Sequence, residues 1–156
     1  MKISIKSCSV TSKNIPCASH DPKIIFICTH NSARSQMAEG LLRNLYGDRF
    51  EVYSTGAEPS RVHPYAIRTM KEIGIDIKGH ISKDLERFMN MDFDYVITVC
   101  DRANETCLVF PRGNKHIHKG FTDPSKFRGK DEEIMTGFRT VRDEIKCWIE
   151  SEFGAN

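Results

Sequence analysis

Residues 23–40 read KIIFICTHNSARSQMAEG and pass from an apolar run through a polar loop into a helical pattern. The first six residues, 23–28, are almost wholly apolar, which is typical of a strand buried on both faces. From Ser35 to Tyr46 apolar residues recur at helical spacing, and Gly47 follows as a helix stop. A buried strand that leads through a short loop into an amphipathic helix indicates the start of a parallel α/β sheet.

Strand and helix patterns alternate through the rest of the chain. Further strands are predicted at residues 50–54, 95–100 and 115–118. Helical patterns are predicted at residues 64–73, at a short turn over 85–89, and at a final amphipathic helix from Ile134 to Ile149. We therefore predict an α/β fold with a small, doubly wound, four-stranded parallel sheet flanked by helices.

Composition limits the classes of protein that remain. The chain has 156 residues, of which 39% are hydrophobic and 28% charged, as in an ordinary globular protein with one core. Its formal net charge is +2, and the basic excess lies in the first 23 residues, so we expect no nucleic-acid interface. No apolar run approaches the roughly 20 residues of a membrane span, and we expect no membrane association.

The chain divides into two parts by composition. Residues 1–22 are rich in Ser, Lys and Thr and are predicted to form a flexible N-terminal extension, whereas residues 23–156 are predicted to form a single catalytic domain. The extension lacks the apolar core of a signal peptide, so we expect a cytoplasmic protein. Structural disulfides are rare in that compartment, and six cysteines therefore indicate catalysis, redox chemistry or metal binding.

Three chemically active side chains follow predicted strands. Cys28 ends the first strand, Cys100 ends the third, and Asp123 follows the fourth. Because ligands of such sheets bind beyond the carboxyl ends of the strands, we expect these three residues to face one crevice.

The loop after Cys28 has the chemistry of an oxyanion site. The backbone N–H groups of residues 28–35 and the N-terminus of the following helix can converge on a negative charge. Arg34 can hold two oxygens of a tetrahedral anion, and the same positive surroundings stabilise a nucleophilic Cys28 thiolate. The Ser35 hydroxyl is placed to donate to that sulfur. The alternative is a buried structural Cys28 with Arg34 on the surface.

Several segments resemble one family. Residues 28–40, CTHNSARSQMAEG, resemble the active-site loop of the low-molecular-weight protein tyrosine phosphatase superfamily, and within it that of the thioredoxin-coupled arsenate reductases. Gln36 stands where the phosphatases usually carry Pro. The reductases' redox segment, general-acid loop and final helix are resembled by VITVCDRANETC (96–107), GFTDP (120–124) and FRTVRDEI (138–145). The likeness covers residues 23–153.

The resemblance implies reduction of arsenate to arsenite by a relay of three thiols. Cys28 attacks arsenic while Asp123 protonates the departing oxygen. Cys100 then attacks the adduct, arsenite leaves, and Cys107 attacks Cys100 by thiol–disulfide exchange. The Cys100–Cys107 disulfide is passed to thioredoxin, and a glutaredoxin-linked donor stays open. The loop residues that bind the anion are Thr29, His30, Asn31, Ser32, Ala33 and Arg34.

Three positions depart from the family pattern. His30 and Ala33 stand where the family usually has Gly and Cys. We expect His30 to adopt a positive φ, and to add a proton donor beside the anion. Some relatives bind potassium near this loop, and Lys83 occupies a position where they supply a carboxylate. Its ammonium is expected to replace the ion, so neither a metal nor a cofactor is predicted. Phosphate and sulfate are expected to compete with arsenate, and the protein is expected to be a monomer.

The two downstream cysteines impose a geometric constraint. If residues 100–107 are helical when reduced, they span roughly 10 Å, whereas a disulfide needs Cα atoms closer than about 7 Å. The residues between them, 101–106, are polar and have little to bury. We therefore predict that oxidation rearranges residues 100–108 and exposes the disulfide.

Other reactive residue types receive structural interpretations. Cys147 falls off the apolar face of the final helix and is predicted to be partly exposed. His63 and His80 are interpreted as surface or packing residues.

Three alternatives to the reductase stay open. A phosphatase acting on phosphotyrosine or a small phosphoester would share the loop but has no need of Cys100 and Cys107. A non-catalytic oxyanion- or arsenite-sensing thiol protein would need no general acid at Asp123. A zinc site of His116 and His118 with the two cysteines lacks the short Cys-x-x-Cys pair of such sites.

Overall fold

The computed structural model describes residues 21–101 and 112–154. In this part of the chain, four strands form one parallel sheet in the order β2-β1-β3-β4. The strands are β1 (Lys23–Cys28), β2 (Glu51–Gly56), β3 (Phe93–Thr98) and β4 (Gly113–His118). The predicted fold class is confirmed, and β1 has the predicted limits.

Helices and 3₁₀ turns connect these strands. The described elements are α1 (Arg34–Tyr46), α2 (Pro64–Lys71), a first 3₁₀ turn (Leu85–Phe88), a second 3₁₀ turn (Pro124–Lys126) and α3 (Asp131–Phe153). α2 begins at a proline, whose fixed φ suits a first helical position. Three acidic residues at 131–133 open α3, where they interact favourably with the positive end of the helix.

β3 begins and ends two residues earlier than predicted. Its first residue, Phe93, is buried and pairs with Gly113. The next residue, Asp94, interrupts the apolar pattern, yet its carboxylate accepts a hydrogen bond from the Lys23 N–H at 2.8 Å. Since β3 ends at Thr98, the prediction that Cys100 ends the strand is wrong by two residues.

Alternate side chains of β1 face two separate cores. Ile24, Phe26 and Cys28 belong to a larger core that also contains buried residues of all three α-helices. Ile25 and Ile27 belong to a smaller core on the opposite face, covered by the first 3₁₀ turn. Each large apolar side chain that is fully buried contributes about 1.5–3 kcal/mol. Burial on both faces therefore fixes β1, and with it the position of Cys28.

Candidate active site

The loop that follows Cys28 turns its carbonyl groups outward. The carbonyl oxygens of residues 29–32 each accept a hydrogen bond from outside the loop. The donors are, in order, the Glu58 N–H, the Ser60 N–H with the Ser82 hydroxyl, the Gln36 side-chain amide and the His63 N–H. In a trans peptide the N–H points opposite to the carbonyl, so the N–H groups of residues 30–33 face the space that the loop encloses. Converging N–H groups of this kind bind anions.

The first turn of α1 borders the same space. Its N-cap residue, Ala33, has no capping side chain, and the turn contains no acidic residue. The positive end of the helix is therefore left for a bound anion. The buried Arg34 guanidinium donates from Nη1 to the Phe121 carbonyl at 3.3 Å, and its Nη2 lies 3.7 Å from Asp123 Oδ2. The structure thus brings Arg34 and Asp123 together.

Cys28 lies buried at the base of the loop. Its sulfur is 2.8 Å from Ser35 Oγ. The Asn31 amide nitrogen, which can only donate, gives a hydrogen bond to the same Ser35 oxygen at 2.8 Å. A Cys28 thiolate has no proton of its own, so in that state Ser35 is the donor of this hydrogen bond. A hydrogen bond donated to sulfur stabilises the thiolate, which is the nucleophilic form of cysteine.

Asn31 carries the positive φ of the loop. Its φ is 51°, so the expectation that His30 would adopt this conformation is wrong. Asn tolerates the left-handed region because its short polar side chain forms local hydrogen bonds. The side chain makes four hydrogen bonds, donating to the Ser35 and Ser54 hydroxyls and accepting from Gln36 Nε2 and the Lys83 N–H. This full set of partners holds the loop in its strained conformation.

The His30 ring is attached to the segment after β2. Its Nδ1 lies 3.0 Å from the Glu58 carbonyl oxygen, and the side chain is half exposed. His30 therefore helps to fasten the rim of the loop.

Gly56 ends β2 directly behind the loop. A Cβ at this position would lie 2.7 Å from Asn31 N, 2.8 Å from Thr29 O and 2.9 Å from His30 C. All three are backbone atoms, which cannot move aside as a flexible side chain can. Sequence reasoning missed Gly56, although a glycine inside a strand pattern is a known signal of close backbone approach.

A buried ion pair lies beneath the loop. Glu39 of α1 accepts a hydrogen bond from the Ser54 hydroxyl, and the same carboxylate oxygen lies 3.6 Å from Lys83 Nζ. Its other oxygen accepts from Arg43 at 2.6 Å. Burial lowers the pKa of Lys83, and the attraction of Glu39 offsets part of that effect. An ammonium group therefore lies beside a buried carboxylate that supports the loop.

His63 and His80 both take part in this support. The His63 N–H donates to the Ser32 carbonyl at 2.9 Å, and its ring accepts from the Tyr65 N–H at the start of α2. His80 Nδ1 lies 3.0 Å from Gln36 Oε1. Burial lowers the pKa of both histidines. Their interpretation as surface or packing residues therefore missed specific hydrogen bonds.

Cys100 follows β3, which lies next to β1, the strand that ends at Cys28. Thr98 pairs with Ile27 of the neighbouring strand, and the next N–H along the chain, that of residue 99, donates to the Ile27 carbonyl at 2.9 Å. The two cysteines therefore both lie at the carboxyl edge of the sheet, Cys28 at the end of β1 and Cys100 two residues after the end of the adjacent β3.

The cysteines among the described residues differ in whether they are free thiols or part of a disulfide. Cys28 and Cys147 are free thiols, and Cys147 is exposed, which confirms its prediction. Cys100 is 1% exposed and is disulfide-bonded. Cys107, with most of the segment 100–108, lies outside the described residues.

The described residues bear on the zinc site considered for His116 and His118. Within residues 21–101 and 112–154, no three His, Cys, Asp or Glu side chains are grouped so as to hold a metal ion. His116 and His118 share a face of β4, and His118 Nδ1 lies 2.8 Å from Thr98 Oγ1.

Over the described residues 21–101 and 112–154, no helix has the length and apolar character needed to cross a bilayer.

The fold and the loop of residues 28–35, called the anion loop from here on, define a class of protein that a family comparison also identifies. The family model for low molecular weight phosphotyrosine protein phosphatases matches residues 23–151. The chain therefore belongs to this family.

Within that family, the chain is similar to arsenate reductases. The arsenate reductase of Halalkalibacterium halodurans is 46% identical over 122 residues, which are 78% of this chain and 88% of the relative. A solved arsenate reductase in the phosphate binding state has a TM-score of 0.68 at 36% identity and covers 83% of this chain and 95% of its own. A thioredoxin-dependent arsenate reductase of Corynebacterium glutamicum has a TM-score of 0.58 at 30% identity, over 86% of this chain and 63% of its own.

Proposed function

We propose that the protein reduces arsenate to arsenite. The observation that carries this proposal is the disulfide-bonded Cys100 at the carboxyl edge of the sheet, two residues after β3, the strand that pairs with the strand of Cys28. A phosphatase completes its cycle with water and needs no second redox-active cysteine there. Reduction of arsenate requires two electrons, which a pair of thiols supplies on forming a disulfide. Relatives named arsenate reductases support the same substrate.

The first step takes place in the anion loop. Arsenate binds against the N–H groups of residues 30–33, within the loop of Thr29, His30, Asn31, Ser32 and Ala33, and against the Arg34 guanidinium. The Cys28 thiolate attacks arsenic, and an arsenic–sulfur bond forms. One arsenate oxygen leaves as water after Asp123 supplies a proton.

The later steps move two electrons from sulfur to arsenic. The Cys100 thiolate attacks the Cys28 sulfur, the arsenic–sulfur bond breaks, and its electron pair leaves with arsenite. The Cys107 thiolate then attacks the Cys100 sulfur and releases Cys28 as a thiolate. The dithiol of thioredoxin reduces the resulting Cys100–Cys107 disulfide and is itself oxidised. The thioredoxin-dependent relative supports this choice of electron donor.

The setting of this reaction is part of the proposal. Three thiols that must return to the reduced state require a reducing compartment, and we place the protein in the cytoplasm. A single catalytic domain over residues 23–156 and a monomeric state stay predictions, and the extension predicted at residues 1–22 falls almost wholly outside the described residues. Phosphate and sulfate compete with arsenate because they share its tetrahedral shape and charge.

Hydrolysis of phosphoesters is the second candidate. The anion loop suits any tetrahedral oxyanion, and a solved relative is described in a phosphate binding state. This alternative uses Cys28, Arg34 and Asp123 but leaves Cys100 without a role.

A coupled assay separates the two candidates. Oxidation of NADPH is followed with arsenate, thioredoxin and thioredoxin reductase, beside hydrolysis of a chromogenic phosphoester. Cys28→Ser and Cys107→Ser should both abolish arsenate-dependent turnover, whereas the matched variant of the exposed thiol, Cys147→Ser, should retain it. The reductase is excluded if wild type shows no arsenate-dependent turnover while Cys107→Ser still hydrolyses the phosphoester.

A further inference from the structure

The two carboxylate oxygens of Asp123 have different partners. Oδ2 lies 3.7 Å from Arg34 Nη2. Oδ1 accepts two hydrogen bonds from one residue, from the Ser125 N–H at 3.0 Å and from the Ser125 hydroxyl at 2.7 Å. The Asp123 side chain is only 15% exposed, so these contacts determine how the carboxylate is turned.

The Ser125 hydroxyl supplies a second hydrogen bond to Asp123, which capping of the 3₁₀ turn does not itself require. Asp123 caps the second 3₁₀ turn, and any residue except proline at position 125 would offer the same N–H to the cap. Pro124 has no N–H, so Ser125 is the first donor available. The final torsion of an Asp side chain is broad and only weakly restrained by the chain itself. A second donor from another direction therefore fixes the rotation of the carboxylate.

We infer that Ser125 is a positioning residue that directs the proton of Asp123 towards the bound oxyanion. Two donors occupy Oδ1 as an acceptor, so a proton on this carboxyl group resides on Oδ2. Oδ2 is the oxygen beside Arg34, which binds the anion in the proposed reaction. The proton is thus held on the side from which the arsenate oxygen leaves. The inference rests on the proposed role of Asp123 as general acid.

Removal of the hydroxyl tests this role. In Ser125→Ala, kcat for arsenate reduction should fall about five- to tenfold, the effect of one hydrogen bond made in the transition state. The KM for arsenate and the Kd for inorganic phosphate should stay near the wild-type values, because no group that contacts the anion is lost. Ser125→Thr keeps the hydroxyl and should restore most of kcat. A loss confined to KM, or an equal loss of kcat in the Thr variant, would overturn the inference.

A double-mutant cycle separates this inference from the proposed function. In an Asp123→Asn background there is no carboxyl proton to direct, so Ser125→Ala should cause no further loss of kcat. Independent losses that multiply would show that Ser125 acts by another route. If Asp123→Asn itself leaves kcat unchanged, the general-acid assignment fails and the inference with it. If Asp123→Asn lowers kcat and Ser125→Ala does not, only the inference fails.

Discussion

At the residue scale, we propose that the reactivity of Cys28 depends on Ser35. Its oxygen accepts a hydrogen bond from the Asn31 amide and lies 2.8 Å from the Cys28 sulfur. When Cys28 is a thiolate it has no proton, so Ser35 donates to the sulfur in that state. A chain of hydrogen-bonded polar groups within the loop therefore reaches the Cys28 sulfur.

Replacement of Ser35 by Ala should slow the chemistry of Cys28. Loss of the donor destabilises the thiolate, and we expect alkylation of Cys28 by iodoacetamide at neutral pH to slow about tenfold, with a similar fall in kcat. The control is Ser82→Ala, which removes a hydroxyl that holds the outside of the loop at the His30 carbonyl. Equal slowing in the two variants would contradict a specific role for Ser35.

Gly56→Ala should disturb the anion loop from behind. The added Cβ meets only backbone atoms of the loop, so residues 29–31 must shift, at a cost of about 1–3 kcal/mol. We expect the Kd for inorganic phosphate, measured by calorimetry, to rise at least about tenfold, because the N–H groups lose their alignment. Gly79→Ala is the control, since a Cβ there meets nothing within 4 Å. Wild-type phosphate affinity in Gly56→Ala would refute this explanation.

Among the secondary-structure elements, those with a clear local pattern of apolar residues could be predicted from the sequence. β1 and α1 were predictable because one is a continuous apolar run and the other has clear helical spacing. β3 was displaced because the carboxylate of Asp94 breaks the pattern while bonding to the backbone of Lys23, a contact that joins residues far apart in sequence. The same limit hid Gly56 and the His63 N–H, whose partners lie in a loop more than 20 positions earlier.

The ion pair between Glu39 of α1 and Lys83, which lies just before the first 3₁₀ turn, should contribute to the stability of the fold. Lys83→Met leaves the buried Glu39 with Arg43 as its remaining cationic partner, and we expect a loss of about 1–3 kcal/mol in the free energy of unfolding, measured with urea. The exposed Lys71 of α2 provides the control, as Lys71→Met should change stability by less than about 0.5 kcal/mol. Equal stabilities of wild type and Lys83→Met would show that the ammonium does not support the loop.

For the molecule as a whole, ion pairs and rings join α2 to α3. Arg68 pairs with Asp131 at 2.8 Å, and the His63 ring lies 4.9 Å from that of Phe138. The Arg68 guanidinium and the Tyr65 hydroxyl lower the pKa of Asp131 to about 2. This carboxylate therefore stays ionised until strongly acidic pH, well below the range in which the histidines titrate.

Global stability should fall as the pH drops below 6.5. Burial holds the pKa of His63 and His80 below that value in the folded state, so the unfolded chain binds more protons between the folded pKa and 6.5. The free energy of unfolding then rises with pH across this window, and the contribution of the two histidines is lost on acidification. Urea unfolding from neutral pH downwards should show the loss, and His80→Gln should remove part of it. A slope of zero in wild type would contradict the effect of burial.

A single-turnover experiment without thioredoxin would test the proposed relay. Fully reduced protein, with all six cysteines as thiols, is mixed with excess arsenate, and arsenite and remaining thiols are counted. We predict one arsenite per chain, the loss of two thiols, and a Cys100–Cys107 disulfide in the peptide map; Cys107→Ser should instead trap a Cys28–Cys100 disulfide. Six thiols retained with no arsenite formed would contradict the relay and the function proposed for Cys28.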